Sequence, residues 1–383
     1  MRIVVLSGLC AGSSYAYAIN TVKMAAGFHE AGHHVTLICR QAEEPLSHSV
    51  EQIYGVPAFE WIAVPTLCRP GLLFGQVAGR IARRLNPDLV FVRDYSSASF
   101  CARWGIPTIM ETHGHVGDRP FWLRQAARAT RLPAFRAVIT ISPVLKEFYA
   151  EGLGMPAAKI AILPTGVNVT AFERPPERPY TPIASRRPRA TFVGHLYDYK
   201  GVPTILGAAA LAPEIEFNLV GGADADLATT RERVATQALD NVVVHGRKMQ
   251  TELPEFLWES DVLLLPPSAN HPSARWTSPV KLGEYLAAGT PIVATDIPAL
   301  RTWLTDDDVA FIAPDNPQSM VDGIRALLAN PGRAQTLSAR GPHLARKWSY
   351  ENRARHIIEL GEGRAFPVSL GPQAASPSLF PFP

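Results

Sequence analysis

Short apolar runs alternate with helical periodicity along most of the chain. RIVVLS at 2–7 precedes a helical pattern near 14–31, HHVTLIC follows at 33–39, and strand signals continue to about Val64. A helical pattern covers 72–85, after which DLVFVR, PTIMET and AVITIS return as short apolar runs with helical segments between them. Runs that are apolar on both faces suit buried parallel strands, and their alternation with helices predicts a doubly wound parallel sheet.

The pattern breaks at 173–189, ERPPERPYTPIASRRPR, which is rich in proline and arginine and nearly devoid of apolar residues. This composition predicts a domain linker. Alternation then restarts with ATFVG, a helix at 201–211, EFNLVGG, a helix near 227–238, NVVVHG, a helix near 251–258 and DVLLLP. A helical stretch from about 317 to 363, interrupted near Pro331 and Pro342, follows, and the last residues, 366–383, form a Pro-rich tail read as disordered or extended on a surface. The predicted class is α/β, with two Rossmann-like doubly wound domains facing a central cleft. Residues 1–172 form the first domain, 173–189 the linker and 190–345 the second domain. Ligands in such folds bind beyond the C-terminal ends of the strands, so the loops just after strands carry the candidate chemistry.

At 383 residues the chain exceeds one comfortable core, which agrees with two domains. No apolar run approaches the roughly 18 residues that would span a bilayer. The start, MRIVVLSGLCAG, reads as a first strand rather than a signal peptide, because Arg2 leads straight into a short apolar run. A net charge of +3 is too small to argue for nucleic acid. Cys10, Cys39, Cys68 and Cys101 are widely spaced, with no CxxC and no histidines beside them, so they read as core or loop thiols in a reducing cytosol rather than zinc ligands.

The segment 277–301, TSPVKLGEYLAAGTPIVATDIPALR, is the richest in chemistry. Ser278-Pro279 supplies a cap-type residue followed by proline, the usual helix start, and the helix runs from Val280 to Ala288 and stops at Gly289. The free N–H groups and positive dipole end make an anion site. Glu284 lies about a turn and a half in, with Leu282, Tyr285 and Leu286 forming the apolar face, and PIVAT reads as a buried strand. Phosphate at the helix tip with a carboxylate nearby suits a nucleotide and its ribose.

GHLYDYKG at 194–201 follows a strand and precedes a helix, so Gly194 permits a tight turn and Lys200 stands where a diphosphate could reach it. The plainer reading of Lys200 is a surface residue at a helix cap. In LVGGADAD, Asp224 and Asp226 resemble a paired-aspartate metal site. Yet Gly221-Gly222 is equally a tight turn followed by a helix capped by Asp226, and no third oxygen ligand is evident, so no metal is expected. The turn Gly8–Ser14, which includes Gly12 and Ser13, is glycine-rich but lacks both GxGxxG and a P-loop lysine, leaving contact loop and plain turn open. Glu111 and His113 in ETHGH follow an apolar run, where a histidine either contacts a sugar hydroxyl or serves as a structural cap. Arg124, Arg128 and Arg131 fall at i, i+4 and i+7 in RPFWLRQAARATRL beside Phe121, Trp122 and Leu123. This stripe fits peripheral docking on an anionic membrane, and equally an ordinary solvated helix face.

Taken together, VGHLYDYKGV, DVLLLPPS, SPVKLGEYLAAGTPIVATDIPALR and ILPTGVNVTAF resemble the retaining glycosyltransferases of family 4, which have the GT-B fold. The likeness runs from the N-terminal glycine loop to about residue 360. It implies that Lys200 binds the donor's diphosphate, Glu284 the ribose hydroxyls, and the backbone at Ser278-Pro279 and Val280 the distal phosphate. It also places His113 near the donor sugar, Gly246 in the base-recognition loop, and a final helix near 349–363 back on the first domain. Two positions depart from the family. Trp276 stands where many members carry a first glutamate, and His195 where many carry arginine, a change that lowers positive charge at the phosphate.

The expectation is a cytoplasmic enzyme that transfers a sugar from a nucleotide-sugar donor to a hydroxyl acceptor with retention, by front-face attack, with no cofactor. Two rivals remain. One is a nucleotide-sugar epimerase of the same fold. The other is a non-catalytic nucleotide-sugar-binding partner in polysaccharide assembly, which Trp276 and His195 keep open.

Overall fold

A computed structural model describes residues 1–42, 44–46, 48–65, 71–114, 120–181 and 186–364, apart from the side chains of Pro120, Trp122 and Leu123. The Pro-rich tail at 366–383 and Cys68 lie outside the described residues. β1 (Arg2–Cys10), β2 (His34–Arg40), β3 (Glu60–Val64), β4 (Leu89–Val92), β5 (Thr108–Glu111), β6 (Phe135–Thr140) and β7 (Ile160–Ile162) form one sheet in the order β3-β2-β1-β4-β5-β6-β7. β8 (Arg189–Val193), β9 (Glu216–Val220), β10 (Val242–Gly246), β11 (Val262–Leu265), β12 (Ile292–Thr295) and β13 (Ala310–Ile312) form a second in the order β10-β9-β8-β11-β12-β13. All of these pairings are parallel.

Parallel sheets need cover on both faces, which explains the unbroken apolar runs. In β1, Val4 and Leu6 enter one apolar cluster while Ile3 and Val5 enter another. In β11, Leu263 and Leu265 face one cluster and Val262 and Leu264 the other. Strand order reverses between β1 and β4 and again between β8 and β11, so the loops after these strands diverge and leave a crevice in each domain. Cys39 and Cys101 are buried, and burial pushes the Cys39 thiol up to about 12.

Several boundaries move. The described residues of the Pro-rich connector lie strapped along the second domain. Arg174 donates to the Trp258 and Ala288 carbonyls, Arg178 pairs with Glu255, and Arg186 pairs with Asp261 at 2.8 Å. Prolines have no N–H to donate, so arginine side chains supply the attachment. The crossing between domains comes earlier, where Val167 N–H donates to the Trp348 carbonyl and Tyr350 N–H donates to Val167, each at 3.1 Å. Pro342 does not interrupt the late helical stretch. It rides inside the helix Pro331–Lys347, and the break falls at Trp348-Ser349 before the helix Tyr350–Gly361. Close packing of Pro331–Lys347 on the helix Val280–Ala288 offsets the lost bond, since a Cβ on Gly341 would lie 2.7 Å from the Leu286 carbonyl oxygen. The final helix packs on the helix Ala16–Glu30 of the first domain.

Candidate active site

Three glycine turns line the C-terminal edge of the second sheet. Gly194, Gly221 and Gly246, with φ of 144°, 120° and 74°, end or follow β8, β9 and β10. Gly194 N–H donates to Val220 and Gly221 N–H to Gly246, so the turns are stacked. Gly222 follows at φ 92°, closing the turn against Leu196. After Gly194 the chain makes a 3₁₀ turn at Asp198–Lys200 and reaches Gly201 at φ 92°, where any Cβ would collide with the Pro266 carbonyl oxygen. Glycine is required there because the loops after β8 and β11 touch.

That turn fixes Lys200. Its ammonium lies 4.9 Å from the Tyr199 ring centroid, and burial lowers its pKa. It has no ion-pair partner among the described residues. His195 stacks on Tyr197, with centroids 5.0 Å apart, and faces Tyr15 of the first domain at 6.1 Å. Burial lowers the His195 pKa, and Lys281, Lys200 and Arg247 lower it further against an opposing pull from Asp226. His195 is therefore a neutral ring within a group of three cations. Its Nδ1 is buried without a hydrogen-bond partner among the described residues.

The helix Val280–Ala288 begins and ends where its sequence implies, with Gly289 in the left-handed conformation at its end. Its start differs in detail. Pro279, not Ser278, is the N-cap, and no side chain caps the helix. Ser278 instead joins the domains: its hydroxyl accepts from Thr165 N–H at 3.0 Å and its carbonyl from the Thr165 hydroxyl at 2.6 Å. Glu284 is buried and faces Lys23 of the first domain at 3.6 Å, while Lys23 donates to Gln250 at 2.7 Å. Burial lowers the Lys23 pKa and Glu284 partly restores it. The carboxylate expected to meet a ribose thus already has a cation across the cleft, which local spacing could not reveal.

Asp226 is not a helix cap. Ala223 takes that position, and Asp224 and Asp226 both lie in the first turn of the helix Asp224–Thr236, where they complement its dipole. Trp276 reaches over the cleft and packs against the apolar cluster of the first domain.

In the first domain, β1 runs on to Cys10, so the glycine-rich turn shortens to the residues after it. Gly12 has φ 81°, in the left-handed region that favours glycine, and the Leu46 side chain lies over it. The Ser13 carbonyl accepts from the Tyr54 hydroxyl at 2.9 Å. At the end of β5, Glu111 is buried and accepts from Arg93 at 2.9 Å and Arg353 at 2.6 Å, with His113 Nε2 at 2.5 Å. Burial pushes the Glu111 carboxyl up, but Arg353, Arg93 and His113 outweigh it and hold it well below the usual range. His113 is lowered to about 4, first by burial and then by Arg93, with Glu111 opposing. At neutral pH it is an uncharged ring donating from Nε2 to Glu111, which leaves Nδ1 as an acceptor. Tyr350 links this cluster to the cleft: its hydroxyl donates to Asn20 at 2.9 Å, and Asn20 approaches Glu111 at 3.5 Å.

The C-terminal candidates therefore converge on one crevice, and the loop carrying Gly12 and Ser13 meets it through Tyr15. Lys23, Lys281, Arg93 and Arg353 were not read from the sequence as site residues. Lys281 carried a usable signal, since it shares a helix face with Glu284 at i, i+3. A separate cavity of about 340 Å³ lies at the connector, but its arginines are already engaged with carboxylates and carbonyls.

Two domain models match in tandem. Glycosyltransferase Family 4 covers residues 20–171 and Glycosyl transferases group 1 covers residues 187–330. A D-inositol 3-phosphate glycosyltransferase of Xylanimonas cellulosilytica is 26% identical over 219 residues, covering 53% of this chain and 51% of its own. A phosphatidyl-myo-inositol mannosyltransferase of Mycobacterium tuberculosis is 26% identical over 236 residues, covering 58% of each. The chain spans about half the length of the curated relatives it matches. The fold is similar to a sucrose-phosphate synthase of Thermosynechococcus elongatus, with TM-score 0.71, 18% identity and coverage of 94% and 98% of the two chains. It is also similar to an Anabaena protein, HepE, crystallised with UDP, with TM-score 0.71, 15% identity and coverage of 94% and 99%.

Proposed function

The chain belongs to the family-4 type of glycosyltransferase, and on that premise we propose that it moves a sugar from a nucleotide-diphosphate donor to an acceptor hydroxyl with retention of configuration, in glycan, glycolipid or glycoconjugate synthesis. One observation carries the reading. Lys200, the stacked glycine turns and the tip of the helix Val280–Ala288 meet at the switch point of the second sheet, a setting that suits a diphosphate. Glu284 would exchange Lys23 for the ribose hydroxyls, and His113 would accept from a donor-sugar hydroxyl through Nδ1.

In this scheme the acceptor oxygen attacks the anomeric carbon from the face that the diphosphate leaves. The carbon–oxygen bond to phosphate breaks as the new one forms, and the acceptor's proton passes to the departing phosphate oxygen. Lys200 and the helix N–H groups stabilise the developing charge, so protein groups rather than a metal ion carry it. Melting curves with UDP-, GDP- and ADP-sugars, followed by product analysis with and without an acceptor, test the reading. A true donor at a hundred times its Kd should stabilise the fold by about 2.7 kcal/mol. No shift with any donor, or an isomerised nucleotide sugar formed without acceptor, would overturn it.

We further propose a cytoplasmic enzyme that docks peripherally on membrane through its first domain. Arg124 and Arg128 are exposed on the helix Pro120–Ala129, and Arg131 lies just beyond it. Phe121, Leu72 and Leu73 are more than half exposed near the starts of two helices, Pro120–Ala129 and Leu72–Arg84. Among the described residues no helix is long and apolar enough to cross a membrane. The protein should sediment with vesicles containing anionic phospholipid at low salt, and the triple change Arg124→Glu, Arg128→Glu, Arg131→Glu should abolish this. Equal recovery on uncharged vesicles, or none on either, would leave the stripe a solvated face.

A further inference from the structure

Lys281 lies in the first turn of the helix Val280–Ala288 and runs beneath the loop that follows β8. Its Nζ lies 3.6 Å from the centroid of the buried Phe192 ring. A Cβ on Gly194 would sit 2.7 Å from that Nζ, so the absence of a side chain at 194 is what leaves the ammonium its place. No carboxylate among the described residues pairs with it. Glu284, one turn on, points its carboxylate at Lys23 instead. Burial lowers the Lys281 pKa well below the ordinary value, Lys200 lowers it further, and Glu284 opposes. A desolvated cation held beside another cation costs stability, and the ring contact offsets only part of that. His195 feels both lysines, which places the two charges around one small volume at the end of β8.

Resting on the donor-binding reading above, we infer that Lys281 is a second ligand of the donor's diphosphate, approaching from the helix side of Gly194 while Lys200 approaches from the loop side. Each lysine donates a charge-assisted hydrogen bond to an oxygen of a different phosphate, and the two negative charges so placed relieve the repulsion between the lysines. Lys281 thereby makes the site select for two phosphates over one.

Titration calorimetry with uridine, UMP and UDP tests this, or with the guanosine or adenosine series if that is the one the wild type binds. In Lys281→Met and Lys281→Gln, affinity for the diphosphate should fall about ten- to a hundredfold, as expected for a lost hydrogen bond between charged groups. Affinity for the monophosphate should fall less than for the diphosphate, and nucleoside affinity should not change. The unliganded melting temperature should hold or rise, because an unpaired buried charge has been removed. Equal losses for nucleoside and diphosphate, an unchanged diphosphate affinity, or a lowered unliganded melting temperature in both variants would overturn the inference. Failure of the wild type to bind any nucleoside diphosphate would instead remove the donor-binding reading itself, and this inference with it.

Discussion

Lys200→Ala should lower kcat/KM for sugar transfer by about a hundred- to a thousandfold, the range found when one preorganised donor to a developing negative charge is removed. The size follows from how firmly Lys200 is held. Lys200 N–H donates to the Tyr197 carbonyl and Gly201 N–H to Asp198, each at 2.9 Å, so the turn delivers the side chain from a rigid base. Burial strengthens its field and lowers its pKa, and no carboxylate neutralises it among the described residues. The substitution removes a charge without orphaning a partner, so the fold should keep its melting temperature. Initial rates of nucleoside diphosphate release with donor and acceptor, read beside the melting curve, check both halves. Unchanged kcat/KM would remove Lys200 from the reaction.

Loss of the Glu111 carboxylate should destabilise the protein by about 3–5 kcal/mol, the usual cost of breaking one side of a buried ion pair. Glu111→Ala would strand Arg93 and Arg353, both nearly inaccessible, beside each other. Arg353 keeps its bond to the Pro164 carbonyl at 2.9 Å but loses the ion pair with Glu111 that ties the final helix to the end of β5. Urea titration measures the loss, and hydrogen exchange should show the helix Tyr350–Gly361 opening first. The same cluster sets acid stability. His113 titrates near 4 when folded against an ordinary 6.5, so its contribution is whole above pH 6.5 and lost as pH falls toward 4. Glu111, also held below its ordinary value, loses its contribution at lower pH still. Both act in one direction, so the wild type should weaken steadily below pH 6.5. His113→Gln should show a flatter profile between pH 6.5 and 4, and an identical acid slope in that variant and the wild type would refute the assignment.

The sheets and the C-terminal crevice were legible because each is written locally. A strand, a glycine turn and a helix start occupy one short continuous run at 190–202, and at 278–295 the order is reversed, with the helix leading into its strand. Contacts across the domains were not legible. Lys23 sits within an apolar helical stretch and Glu284 far along the chain, and only the closed cleft pairs them. Arg353 and Glu111 are likewise brought together by the returning helix. Ser278 looked like a cap because Ser-Pro usually is one. The competing demand was Thr165, whose N–H and hydroxyl both bond to it. Pro342 was read as a breaker because propensity is local, whereas the packing that tolerates it is tertiary.

The outward crossing at Val167 and the return at Trp348–Tyr350 are hydrogen-bonded to each other, so the two connections between the halves run side by side as one paired unit. Anyone building chimaeras from two such chains faces a practical result: a graft cut only in the proline-rich connector pairs one parent's first half with the other parent's last helix. The unit to exchange is discontinuous, and the closing helix must travel with the opening half.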